Sequence, residues 1–206
     1  MKKLFTLALS AVALMALSAC GENFSKDVLA RQDGKSYHVT GQFADWEVKQ
    51  DGSFKMNATS VAEVAKASKD VAKNLAKKSI AYLYSYELNV TSEATWTTKA
   101  LVGGELKEFN GNHAVKVIRA DWNAEEETYA NDLWISDTDY KAYVESLSDV
   151  LWVSPNYQKE ADDNGFSWNY NPTITGEDGK YLIVLAEYTT ASAEGVYGFG
   201  MAAIAL

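Results

Sequence analysis

The chain has 206 residues, 47% of them hydrophobic and 12% aromatic, and its 19 basic and 28 acidic side chains give a net charge of −9. Nucleic-acid binding requires a basic surface, so this balance excludes nucleic-acid partners and argues against a polybasic attachment to anionic lipid. The length suits one domain or two small ones, and a single cysteine excludes an intramolecular disulfide.

The N-terminal residues follow the pattern of a secretory signal. Lys2 and Lys3 precede an almost unbroken apolar run from Leu4 to Leu17. The run is shorter than the roughly 20 residues of a transmembrane helix. We therefore predict a cleaved signal peptide over residues 1–19.

Leu17, Ser18, Ala19 and Cys20 resemble the lipobox of bacterial lipoproteins. The resemblance implies a diacylglyceryl group on the Cys20 thiol, which would anchor the protein outside the cytoplasm to the cell membrane or the outer membrane. Two or three acyl chains give stable anchoring where one does not. An ordinary signal peptide followed by a chance cysteine is the alternative. The polar residues 20–35 are predicted to form a short lipidated tether.

Residues 36–206 are predicted to form a single domain that begins with two strands, around Tyr37–Thr40 and Phe54–Met56. Over residues 60–78 apolar side chains recur at spacings of three and four, with lysines on the remaining surface. This pattern predicts one amphipathic helix, capped by Ser60 and Glu63. Its lysine-rich face is interpreted as solvated, with contact to acidic lipid headgroups as the alternative.

The next segments alternate as strands and predict an antiparallel meander, with hairpin turns at Gly103-Gly104 and Asn110-Gly111. A strand at Leu133–Ile135, a short helix at Asp137–Leu147 and a long loop at Tyr157–Asn171 follow. The last segments, Tyr181–Tyr188 and Val196–Leu206, are apolar on both faces and predict central strands. The fold class is mainly β: an antiparallel, immunoglobulin-like β-sandwich with one or two helical insertions.

Few residues in the sequence are suited to catalysis. The two histidines, His38 and His113, lie on predicted strands and lack partners for a triad or a metal site. No cofactor and no metal site are predicted, and the acidic loop 162–165 is interpreted as a turn rather than a calcium site. Arginine is limited to Arg31 and Arg119, a scarcity typical of an AT-rich genome.

Carboxylates are plentiful, and a glycoside hydrolase needs two of them. Asp121, Glu105 and Glu187 lie in or beside predicted strands. In so acidic a chain some pair always looks suitable, so we predict a protein that is not an enzyme. A small surface glycosidase is kept as an alternative function.

The aromatic content is the more informative feature, with six tryptophans and twelve tyrosines. Trp46, Trp122, Trp168 and Tyr170 are predicted at strand ends or in loops, and Asn123 follows Trp122. Indole faces suit the apolar face of a sugar ring, and a neighbouring amide suits its hydroxyls. The alternative is that the tryptophans fill the core of a sandwich without disulfides.

Two segments resemble starch-binding β-sandwich modules. Residues 41–46, Gly-Gln-Phe-Ala-Asp-Trp, are similar to the opening Gly-x-Phe-x-x-Trp of that family, and residues 114–122 to a later strand that leads to an exposed tryptophan. The resemblance implies that Trp46 and Trp122 stack on glucose units. We therefore expect a lipid-anchored protein that binds a polysaccharide or oligosaccharide such as an α-glucan. An envelope accessory or scaffold lipoprotein without a glycan site is the alternative.

Overall fold

The structure is a computed structural model that describes residues 22–93, 97–102, 105–135, 142–153, 172–189 and 197–206. It confirms the mainly β fold, in which two sheets pack face to face and a pair of helices covers the outer side of the larger sheet. The strands are β1 Lys35–Thr40, β2 Asn57–Ala58, β3 Ile80–Val90, β4 Thr97–Val102, β5 Glu105–Asn110, β6 Lys116–Asn123, β7 Thr128–Ile135, β8 Ala142–Ser146, β9 Leu151–Trp152, β10 Thr173–Ile174, β11 Gly179–Tyr188 and β12 Tyr197–Ala205.

The smaller sheet has the order β1-β6-β7 and the larger the order β2-β3-β11-β12-β8. All pairings in them are antiparallel except that of β8 with β12, which is parallel. The hairpin β4-β5 and the short pair β9-β10 stand apart as two-stranded sheets. The predicted β-sandwich therefore consists of one three-stranded and one five-stranded layer.

The core between the sheets follows from the alternation of side chains along each strand. The smaller sheet contributes Val39, Val117 and Ile135, and the larger contributes Ile183 and Phe199, all of them buried. Every second residue of β6 therefore points to the core, and the others point to the outer face of the smaller sheet.

The helical segment differs from the single helix that was predicted. It forms two helices, α1 Val61–Ala67 and α2 Lys69–Ala76, with the predicted cap at Ser60 in place. Ser68 breaks the helix with extended backbone angles, φ −149° and ψ 116°, and its hydroxyl accepts from the amide of Val71 at 3.3 Å. Serine favours caps because its hydroxyl competes for backbone hydrogen bonds.

Two further local predictions were wrong within the described residues. Residues 142–146 form β8 instead of the end of a helix, because tertiary pairing beside β12 overrides the local pattern. Gly111–His113 forms a 3-10 turn, and β6 then pairs with β1 and β7 instead of β5. The hairpin β4-β5 is confirmed, with Val102 opposite Glu105.

The last two strands are central in the larger sheet, as predicted. β11 lies between β3 and β12, and Ile183 and Val184 are both fully buried although they point to opposite faces. A Cβ atom at Gly200 would collide with the Tyr188 hydroxyl and would lie 2.7 Å from Leu147 Cδ1. A larger residue there would therefore have to displace the ends of both side chains.

The residues predicted as a tether run along the folded unit. Leu29 donates to Thr59 O at 3.1 Å and accepts from the amide of Leu83 at 2.9 Å. Phe24 and Leu29 pack against the apolar cluster between the helices and the larger sheet. This N-terminal segment, residues 22–34, is thus a packed part of the structure.

None of the helices in the described part of the chain is both long enough and apolar enough to cross a membrane.

Candidate functional site

The segment that resembles the starch-binding opening forms a tight loop after β1. The amide of Trp46 donates to Gly41 O at 3.0 Å, and a Cβ at Gly41 would lie 2.7 Å from Ala114 O, so only glycine fits. Trp46 has φ +60°, a left-handed conformation that is strained for a bulky residue. Such strain persists only where the surroundings impose it, and it clusters at functional sites.

The loop brings Trp46 to the outer face of the smaller sheet, where it meets Lys116. The Lys116 ammonium lies 5.8 Å from the centroid of the Trp46 ring and 5.6 Å from that of Trp134 on β7. Both distances fall within the range of cation–π attraction. Lys116 thereby links two half-buried indole rings.

Trp122 lies at the other end of β6, on the same outer face. Trp122 is 44% exposed, and few large hydrophobic residues along the described chain are as exposed as this: Val28 and Leu206 are the others. The Tyr129 ring, directly across on β7, packs against it with centroids 4.7 Å apart and planes at 57°. We call the surface formed by Trp46, Lys116, Trp134, Tyr129 and Trp122 the aromatic face.

Gln50 holds Tyr129 in place. Its amide oxygen accepts from the Tyr129 amide at 2.6 Å, and its amide nitrogen donates to Tyr129 O at 3.3 Å. The side chain therefore pairs with β7 as a neighbouring strand would, and it ties the loop after β1 to the edge of the sheet.

A β-bulge in β7 places Trp134 on the aromatic face. Ala120 pairs with Asn131 and Arg119 pairs with Leu133, so Asp132 is an extra residue on β7. One extra residue reverses the alternation of every side chain beyond it. The sequence prediction missed Trp134 and Tyr129 for this reason, since simple alternation places them on opposite faces.

The two tryptophans predicted to bind sugar lie at opposite ends of the aromatic face. Trp46 contacts Lys116, and Trp122 lies six positions further along β6, a distance of about 20 Å at 3.3 Å per residue. They cannot clamp one sugar ring between them. Between these two ends Val48 of the loop packs against Ile118 and Ala120, and all three are buried.

The other residues predicted for the site are placed differently. Asn123 points away from Trp122, and its side-chain oxygen accepts from the amides of Glu125 and Glu126 at 3.0 and 3.3 Å, which closes the β6–β7 turn. Trp168, Tyr170 and the acidic loop 162–165 lie outside the described residues.

His38 lies buried beneath the aromatic face. Its Nε2 is 2.9 Å from the Ser36 hydroxyl, and its ring packs edge-on against Tyr129 with centroids 4.6 Å apart. Burial, with a smaller contribution from the Lys55 charge, lowers the pKa of His38 to about 4. The imidazole therefore stays neutral near pH 7 and serves packing. His113 is also buried, with Nδ1 2.7 Å from Ile174 O.

Between the sheets lies a buried ionic cluster centred on Glu187. Arg31 approaches the Glu187 carboxylate at 2.5 Å and Arg119 at 3.6 Å, and the Tyr37 hydroxyl donates to it. Burial, followed by the Glu187 charge, raises the pKa of Tyr37. Both arginines of the chain thus pair with one carboxylate. From the sequence, their scarcity is attributed only to the base composition of the genome, and this structural role is not predicted.

The cluster continues toward the surface through further carboxylates. A hydrogen bond from Arg31 is the main cause that lowers the pKa of Asp33 to about 2. Burial alone would raise the pKa of Asp132, but hydrogen bonds from Lys35 and Arg119 outweigh it and lower the pKa.

Of the carboxylates considered for glycoside hydrolysis, Asp121 pairs with Lys35 at 3.3 Å and Glu105 is exposed on β5. Glu187 is enclosed by its arginines and Tyr37. Asp121 and Glu187 are therefore each paired with a basic side chain, and Glu105 lies on a different sheet. No two of these three carboxylates form an open pair of the kind that a glycoside hydrolase uses.

Within the described part of the chain, no three side chains from histidine, cysteine, aspartate or glutamate are grouped so that they could hold a metal ion. Comparison with known proteins gave no match to a family model, to a curated protein or to a solved structure. The aromatic face is therefore interpreted from its own geometry.

Proposed function

We propose that the protein is an extracytoplasmic lipoprotein, anchored to the cell membrane or outer membrane through Cys20, that binds a polysaccharide or oligosaccharide on its aromatic face without catalysis. The observation that carries the proposal is the exposed Trp122 ring supported by Tyr129 at one end of a row of aromatic side chains. An exposed, rigid indole suits stacking against the apolar face of a sugar ring.

The polar groups of the face complement the aromatic rings. Asn131 is exposed on β7 and lies on the aromatic face between Tyr129 and Trp134. An amide can both donate to and accept from sugar hydroxyls. The exposed Trp122 ring at the end of the face can stack on one unit of a glycan such as an α-glucan chain, whose other units would extend beyond it.

Electrophoresis of the protein in native gels that contain glycogen, starch or another polysaccharide tests the proposal. The wild-type protein is expected to be retarded, and Trp122→Ala to weaken retardation about tenfold, as for the loss of one contact worth about 1.4 kcal/mol. Val28→Ala, which removes an exposed apolar side chain of the N-terminal segment, is the control and should bind as the wild type does.

Retardation by none of the glycans would refute the carbohydrate-binding proposal. Release of reducing sugar from a retarding glycan would instead support the glycosidase alternative. Circular dichroism of each variant shows whether the fold is retained.

The anchor has its own test. In cells, Cys20→Ala is expected to lose both fatty-acid labelling and membrane fractionation, whereas the wild-type protein keeps both, because the lipid is attached through that thiol. A Cys20→Ala protein that still fractionates with membranes in washed, salt-treated preparations would contradict the anchor.

The envelope accessory or scaffold function is supported by a different observation. Trp46 and Trp134 are half-buried and both contact Lys116, so part of the aromatic face serves packing. In this alternative Trp122→Ala leaves every glycan assay unchanged and alters only the capture of a protein partner.

A further inference from the structure

The start of the described chain lies beside α2. Glu22 Oε1 is 2.8 Å from Lys73 Nζ. Cys20 precedes Glu22 by two residues, so their Cα atoms can be at most about 7 Å apart. A lipid on Cys20 would therefore enter the bilayer next to the helical layer, α1 and α2.

The N-terminal segment holds this arrangement because it is packed. The amide of Ala62 at the start of α1 donates to Ser25 O at 2.9 Å, and Phe24 packs beneath the helices. Since little chain remains between Cys20 and these contacts, the domain cannot turn freely on its anchor.

The charge of the helical layer differs from that of the rest of the chain. The layer and its flanking residues carry Lys66, Lys69, Lys73, Lys77 and Lys78 against Glu63 and Asp70, and Glu22 and Glu145 pair with two of these lysines, so this surface has a net charge of +1. The rest of residues 20–206 has 12 basic and 24 acidic side chains. An anionic membrane would attract the first surface and repel the second.

Three of these lysines already have carboxylate partners: Lys66 pairs with Glu63, Lys73 with Glu22 and Lys78 with Glu145. Lys69 and Lys77 are exposed, and neither is ion-paired to a carboxylate among the described residues. These two are the lysines of the layer whose charge is available to lipid headgroups.

We infer that the helical layer is the membrane-facing surface of the anchored protein, with Lys69 and Lys77 against anionic headgroups. The inference rests on the proposed anchor at Cys20. The aromatic face lies on the opposite side of both sheets, which are packed about 10 Å apart, so it points away from the bilayer. This orientation presents the aromatic face to glycans outside the membrane.

Site-specific fluorescence on the full lipidated protein tests the orientation. A lipidated Cys20 has no free thiol, so a cysteine introduced by Ala76→Cys on α2 or by Glu47→Cys in the loop beside the aromatic face takes the label alone. Both positions are exposed. On phosphatidylglycerol vesicles with a headgroup-attached quencher, the label at 76 should be quenched strongly and the label at 47 weakly.

A pair of matched charge variants tests the lysines. Lys69→Gln with Lys77→Gln should lower the ratio of helix-facing to other orientations by about fivefold for each lysine. Lys49→Gln with Lys107→Gln removes the same charge outside the helical layer and should not lower the ratio. Added salt should reduce the difference between the two double variants, because the lysines are exposed.

Equal quenching at both positions, with the protein still bound to vesicles, would overturn the orientation and leave the anchor intact. Failure to bind vesicles would overturn the anchor and the inference together. Protection of the label at 76 in isolated cell envelopes but not on protein-free vesicles would assign the helical layer to a protein partner, which also overturns the inference.

Discussion

At the scale of single residues, two buried ionisable groups are expected to contribute strongly to the stability of the fold. Glu187 lies between the sheets with Arg31, Arg119 and Tyr37 around it, and His38 lies under the aromatic face. A buried charge pair costs desolvation when it forms, and removing one partner leaves the other uncompensated. Substitutions of Glu187 and His38 are therefore expected to lower stability more than substitutions of exposed carboxylates.

Glu187→Gln keeps the shape of the side chain and removes the charge that two guanidinium groups share. We expect the free energy of unfolding to fall by about 3 kcal/mol, measured by urea denaturation. Glu105→Gln, at an exposed position on β5, should change it by less than about 0.5 kcal/mol. Equal effects of the two substitutions would contradict a stabilising role of the ionic cluster.

His38 makes stability depend on pH. Its folded pKa of about 4 is below the unfolded value of 6.5, so the unfolded chain binds the proton more readily. The contribution of neutral His38 is complete above pH 6.5 and is lost as the pH falls through 4, by up to about 3 kcal/mol.

The measurement is urea denaturation between pH 4 and pH 7 for the wild type and His38→Gln. The wild type should lose the larger amount of stability over this window. The stability contributed by Asp33 is lost below the window, because the pKa of Asp33 is 3.8 in the unfolded chain and about 2 in the folded protein. Parallel profiles for the two proteins would show that His38 does not titrate as its burial implies.

At the scale of elements, a single serine decides the shape of the helical layer. Ser68 ends α1 and begins α2, and its hydroxyl accepts from the amide of Val71. The period of the apolar residues continues across it, which is why the sequence predicts one helix. The pattern identifies the buried stripe, but a backbone break that preserves the stripe leaves the pattern unchanged.

Ser68→Ala should lower the free energy of unfolding by about 1 kcal/mol, because it removes the cap of α2. Ser68→Thr retains a hydroxyl and should recover most of the loss. Thermal or urea denaturation of both variants measures the difference. If Ser68→Ala leaves the free energy of unfolding unchanged, the packing of Val71 and Leu75 alone maintains the break between α1 and α2.

At the scale of the whole molecule, the N-terminal segment joins the layers. It contacts the helices through Phe24, lies against β3 through Leu29 and reaches the ionic cluster through Arg31. The sequence shows a polar stretch with scattered apolar residues, which is also the composition of a tether. A tether and a packed segment are distinguished only by the position of those apolar residues against the helices.

Replacement of residues 22–34 by a glycine-serine segment of equal length should lower the free energy of unfolding by at least about 3 kcal/mol, since it removes Arg31 from Glu187 together with the apolar contacts. Urea denaturation measures the change. The single variant Arg31→Gln removes the charge that pairs with Glu187 and leaves Phe24 and Leu29 in place, so it separates the ionic part from the packing part. Unchanged stability of the replaced chain would show that the segment is a passive tether.

Local periodicity and capping are enough to predict the mainly β class, the apolar strands at the centre of the larger sheet and the helical stripe with its cap at Ser60. They do not predict the partners of β6, the parallel pairing of β8 or the face on which Trp134 lies, which long-range packing sets. Strand partners depend on distant contacts, and one extra residue in β7 reverses a face without a sign in the composition. The ionic cluster likewise joins residues as far apart as Arg31 and Glu187.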